Sequence, residues 1–179
     1  MNKLIIFSLG IAATLGVLIL QTILTIIFPA LENSAVSEKI GYFMLLAIFI
    51  EEFIKLGLLW KISKSVKNIF WSSIIFGSGF ATAEIFLNIL NNDPFNFELF
   101  FSYLGLFLIH IFTSSVYGLY LSKKKNFAIW SALAIFVLGY FLHFLFNFFV
   151  LISTNYLVLN GGLGILIFLA FFMSKNSKK

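Results

Sequence analysis

LIIFSLGIAATLGVLILQTILTIIF, residues 4–28, runs for 25 positions without a charged side chain. As a helix rising about 1.5 Å per residue it exceeds the roughly 30 Å hydrocarbon layer of a bilayer. Lys3 ahead of it imitates the start of a secretory signal. The run nonetheless outlasts the roughly 7–15 residues of such a segment's apolar region, so it reads as an uncleaved membrane span.

Five more stretches of this kind follow, at 40–60, 69–90, 99–121, 127–152 and 157–173. The connections between them, LENSAVSEK (31–39), KISKSVKN (61–68), NNDPFNFE (91–98), SKKKN (122–126) and STNY (153–156), are too short to house another domain. The expected fold is therefore all-α: one polytopic membrane bundle of about six transmembrane helices over residues 1–179. Composition agrees, since 61% of the 179 residues are apolar and 11% charged, against about 25% charged in soluble domains. No cysteine is present, which removes disulfides, thiolate ligands and a cysteine nucleophile.

The net charge of +5 does not indicate nucleic acid, because the lysines lie in clusters between apolar spans, where they set topology and meet anionic lipid. With six spans, ten of them (Lys3, Lys61, Lys64, Lys67, Lys123, Lys124, Lys125, Lys175, Lys178 and Lys179) fall on one side and Lys39 alone on the other. That asymmetry predicts both termini in the cytoplasm.

Against this background FIEEFIKLGLLW (49–60) stands out, with Glu51, Glu52 and Lys55 inside a predicted span. Glu84, His110 and His143 are also within spans. A charge at the centre of a membrane helix costs about 2.5–3.5 kcal/mol on insertion scales, so such groups are functional candidates by default. Counting from the span ends places Glu51, Glu84, His110 and His143 between mid-membrane and the outer surface, able to converge. The i, i+4 spacing sets Glu51 with Lys55, Phe80 with Glu84, and His143 with Asn147 on shared faces, with Glu52 turned about 100° from Glu51. Lys55 suits a structural ion pair. The Gly77-Ser78-Gly79 run, Ser114 and Gly118 suit close helix packing as readily as substrate contact.

Three glutamates, two histidines and an asparagine suit hydrolysis by activated water. In a zinc form Glu84, His110 and His143 hold the ion and Glu51 deprotonates its water. In a metal-free form the histidines and Asn147 donate to the oxyanion instead. A two-aspartate mechanism fails because Asp93 is the single aspartate, and no H-E-x-x-H is present. A Ser78–His143 dyad leaves the glutamates unused.

EEFIK (51–55), FATAE (80–84), HIFTSSVYG (110–118) and HFLFN (143–147) together resemble the four ordered motifs of the PrsW family, in the wider CAAX prenyl endopeptidase and bacteriocin-processing group. They define a motif core of about 40–152. The resemblance implies a membrane-embedded peptidase with Glu51, Glu52, Glu84, His110, His143 and Asn147 at its site. It implies a membrane-anchored protein or peptide as substrate, an anti-sigma factor among the candidates, and a bacterial plasma membrane as location. Glu84 stands where CAAX endopeptidases carry histidine, which favours the PrsW branch. Two other functions compete: a non-catalytic scaffold or immunity-type protein, and a transporter using the same groups as a proton or cation relay.

Overall fold

A computed structural model describes residues 1–30, 35–37, 40–91, 97–123 and 129–152. Among them are five long helices, α1 (Lys3–Ile27), α2 (Tyr42–Ser63), α3 (Ile69–Asn91), α4 (Phe97–Lys123) and α5 (Ile129–Ile152). A small antiparallel pair leads directly into α2: β1 (Ala35–Ser37) lies in the expected loop 31–39, and β2 (Ile40–Gly41) takes the first two residues of the expected span 40–60. The expected sixth span, 157–173, lies outside the described residues.

The helix ends follow local chemistry. Asn2 caps α1 by accepting from the Leu4 amide at 3.3 Å, and Pro29, which lacks an N–H, stands just past the other end. Asn68 does the same for α3, its side chain accepting from the Trp71 amide at 3.3 Å. Lys61 occupies the last turn of α2, where a cation complements the helix dipole.

Helices α1, α3, α4 and α5 are each long and apolar enough to cross a membrane. Every 18-residue stretch of α2 contains Glu51, Glu52 and Lys55, which sets that helix apart by charge. The bundle is apolar outside and encloses a charged cluster within its apolar core. Trp130 is 80% exposed and Ile26 74%, whereas Glu52, Lys55, His110 and Thr113 are completely buried. That is the reverse of a water-soluble domain and marks a membrane protein.

Small residues bring three helices together. Gly10 of α1 lies against the backbone at Phe76 and Phe80, and Gly79 of α3 against the Phe7 carbonyl, so a methyl group at either would meet main chain. Thr14 adds a hydrogen bond to the Phe80 carbonyl at 2.9 Å. On the other side of α3, Gly77 faces Ser114 and the His110 carbonyl, and Gly118 of α4 faces Ser73. Gly77 and Gly79, two residues apart and hence on nearly opposite faces, let α3 lie between α1 and α4. Helix α2 joins α5 through aromatic edges, with Phe49 and Phe136 centroids 5.1 Å apart. This arrangement carries the ionisable residues of α2, α3, α4 and α5 into one interior.

Candidate active site

The interior cluster is organised around Glu52. Its Oε1 accepts from Lys55 Nζ at 2.6 Å and lies 2.7 Å from His143 Nδ1; its Oε2 accepts from the Tyr117 hydroxyl at 2.8 Å. Two strong acceptor atoms thus meet three partners from α2, α4 and α5. Tyr117 reaches in over Gly139, where a methyl group would collide with its ring and hydroxyl.

Lys55 is held as tightly. Besides Glu52, its Nζ lies 2.6 Å from His110 Nδ1 and 3.5 Å from Thr113 Oγ1, and it stands 4.7 Å from the Phe80 ring centroid. The ion pair of Lys55 is therefore with Glu52, at i, i+3, and not with Glu51 at i, i+4. Both spacings are within reach on a helix. Glu52 wins because His143 and Tyr117 fix its carboxylate on the buried side, where the ammonium also finds His110.

Glu51, one residue earlier, has a different setting. One oxygen accepts from Gln21 Nε2 of α1 at 3.3 Å. The other lies 3.8 Å from His143 Nδ1 and has no hydrogen-bond partner. Glu84 Oε2 comes within 2.5 Å of His110 Nε2, yet neither atom is hydrogen bonded, so the oxygen lies off the ring's bonding direction. The side chains of Glu51 and Glu84 are 12% and 25% exposed, whereas that of Glu52 is wholly enclosed. The two imidazoles meet edge to face, their centroids 5.1 Å apart, and Phe80 lies 4.9 Å from His110.

The structure thus brings Glu51, Glu52, Lys55, Glu84, His110 and His143 together from four helices. Asn147 is half-buried one turn beyond His143, and no hydrogen bond joins it to the cluster among the described residues. Ser78 donates to the Ile74 carbonyl at 2.9 Å within its own helix, which leaves the serine–histidine dyad without a hydroxyl. Ser114 and Gly118 face α3 as packing residues.

The potential metal ligands also differ from the expected set. Glu51, His110 and His143 each bring one ligand atom within 4.8 Å of the others, so Glu51 takes the place assigned to Glu84. The spacing of helix turns cannot distinguish two carboxylates on different helices; the packed positions of their atoms do.

Two site residues were not among the candidates read from sequence. Gln21 is an amide in the apolar first span, and that isolation in lipid was the available signal. Tyr117 sits inside the third motif but gives no pattern of its own, since tyrosine is common in membrane helices.

The chain matches no protein-family model, no curated protein and no solved structure.

Proposed function

We propose that this chain is a membrane-embedded endopeptidase that cleaves a membrane-anchored protein or peptide precursor by glutamate-activated water. The observation that carries the reading is Glu51: a carboxylate with one oxygen steadied by Gln21 and the other unpartnered, beside two histidines and Glu84. A general base needs a held orientation and a free lone pair, and burial among apolar helices excludes competing bulk water. Glu52, with three partners, orients the site and leaves the proton transfer to Glu51. Glu84, next to His110, is placed to pass a proton to the leaving amine.

In this reading α2 crosses the bilayer as an additional span despite its charges, because Glu52 and Lys55 pair with each other and Glu51 is turned into the bundle. Six spans with both termini cytoplasmic agree with the lysine distribution, and the PrsW-like motifs imply a bacterial plasma membrane. The PrsW-like motif order supports the same chemistry, with a membrane-anchored regulator such as an anti-sigma factor as one substrate class.

The test is co-expression with tagged single-span membrane proteins, scored for fragments. Glu51→Ala and His143→Ala are expected to abolish cleavage while the protein remains inserted. Cleavage retained by both variants rejects the proposed chemistry. Full biological activity in Glu51→Gln points to the scaffold function, and pH-driven uptake into liposomes to the transporter.

A further inference from the structure

His110 and His143 are the chain's two histidines, and each has its Nδ1 bound to a group of opposite character. His143 Nδ1 faces Glu52 Oε1, a carboxylate oxygen that already accepts from Lys55. An ionised carboxylate only accepts, so Nδ1 of His143 carries a proton, and in a neutral ring Nε2 is then a bare lone pair. His110 Nδ1 faces Lys55 Nζ, which is ion-paired to Glu52. An ammonium has three N–H bonds and no lone pair, so it only donates. Nδ1 of His110 therefore accepts, and the ring's single proton sits on Nε2.

We propose that Lys55 and Glu52 are positioning residues that lock His110 and His143 in opposite tautomers, so that the site offers one ring N–H donor and one bare ring nitrogen. Three observations support this beyond the two contacts. Thr113 Oγ1 and the Phe80 face complete the ammonium's surroundings, leaving it no reason to turn away from His110. The His110 Nε2 lies buried beside the Glu84 carboxylate oxygen, a neighbour that suits a ring N–H and disfavours a second lone pair. Glu52, with both oxygens engaged, has no freedom to swap its His143 contact.

The same bonding does not fit zinc at Glu51, His110 and His143. Ligation through His110 Nε2 needs a lone pair there, which puts the ring proton on Nδ1, against the N–H bonds of Lys55 at 2.6 Å. Metal binding at this set thus requires Lys55 to leave or lose its proton. Insofar as the peptidase reading holds, His110 supplies an N–H to the oxyanion of the tetrahedral intermediate, and His143 Nε2 accepts from the water that Glu51 deprotonates.

The experiment is nitrogen NMR of the full chain in lipid nanodiscs, with ¹⁵N-histidine and assignment by His143→Gln. Protonated and bare ring nitrogens resonate far apart, so each ring reports its own tautomer. The expected spectrum shows His110 protonated at Nε2 and His143 at Nδ1. The same tautomer on both rings overturns the proposal, and that result needs no variant to fold. In Lys55→Met, His110 should lose its Nε2–H preference while His143 keeps its Nδ1–H, and Lys55→Arg should retain both. An unchanged His110 in Lys55→Met removes Lys55 from the role. Zinc added to the unmodified protein should leave the His110 resonances in place, and a zinc-dependent shift at His110 Nε2 overturns the exclusion of the metal. Opposite tautomers in a protein that cleaves nothing would retire the peptidase reading and leave this inference standing.

Discussion

The polar interior has two regions with different bonding. Around Glu52 and Lys55, every charged atom has partners and none is exposed. Toward Glu51 and Glu84, four buried side-chain atoms (Glu51 Oε2, Glu84 Oε2, His110 Nε2 and Ser114 Oγ) have no hydrogen bond. Adjacent residues on one helix turn thus have opposite characters: Glu52 is closed into a network and Glu51 is left open. Ser114 is explained by its packing against Gly77. The other three atoms border one another, and buried polar atoms are rarely left unpaired without use. The closed region joins α2, α4 and α5, and in the proposed reading the open one is where a substrate or water completes the bonding.

Breaking the closed region should produce the largest effect. Glu52→Leu leaves the Lys55 ammonium buried without its counter-ion, which costs about 3–5 kcal/mol. Thermal unfolding in detergent should show a markedly destabilised protein, and a native-like midpoint would mean that the network is not structural. Glu51→Gln tests the open region. It should lower cleavage by roughly 10²–10⁴-fold, the usual contribution of a general base, while the unfolding midpoint stays near that of the unmodified chain. If the two glutamate variants behave alike in both assays, the division between the regions fails.

Gly139→Ala sharpens the comparison from a distance, since its methyl group would push the Tyr117 hydroxyl away from Glu52. The overpacking should cost about 1–3 kcal/mol. Gly57→Ala, where nothing lies within 4 Å, is the matched control and should be neutral or stabilise by up to about 1 kcal/mol through helix propensity. Equal midpoints for the two alanine variants would remove Tyr117 from the network. The smallest effect belongs to Gln21→Ala, which deletes one hydrogen bond to Glu51 worth about 1 kcal/mol. Cleavage should fall several-fold with little change in stability, and unaltered cleavage would leave α1 as a packing helix only.

Much of the fold was legible as runs of apolar residues. The five described helices depart from the expected spans by no more than three residues at any end. Length and hydropathy set those limits locally, so no knowledge of neighbours was needed. The β1–β2 pair was not legible, because five residues of mixed character carry no period to read. The glycines of FGSG could be read as a place of close approach. Only the packing shows that Gly79 admits α1 and Gly77 admits α4.

The site divides in the same way. That Glu51, Glu52, Lys55, Glu84, His110 and His143 are anomalous follows from sequence alone, because ionisable groups in apolar spans are costly wherever they point. Which of them bond to which does not follow. Helical spacing allows Lys55 to reach Glu51 or Glu52 equally well, and it contains no term linking Gln21 to Glu51 or Tyr117 to Glu52. Those choices were made by the crossings of α1, α4 and α5 over α2, where a difference of one residue decides whether a carboxylate is enclosed or open. The sequence determined a membrane bundle and its unusual polar residues, through hydrophobicity and period, which are properties of each segment by itself. Only the tertiary structure decided the partners, because hydrogen bonds depend on ångström-scale distances between atoms far apart in the chain.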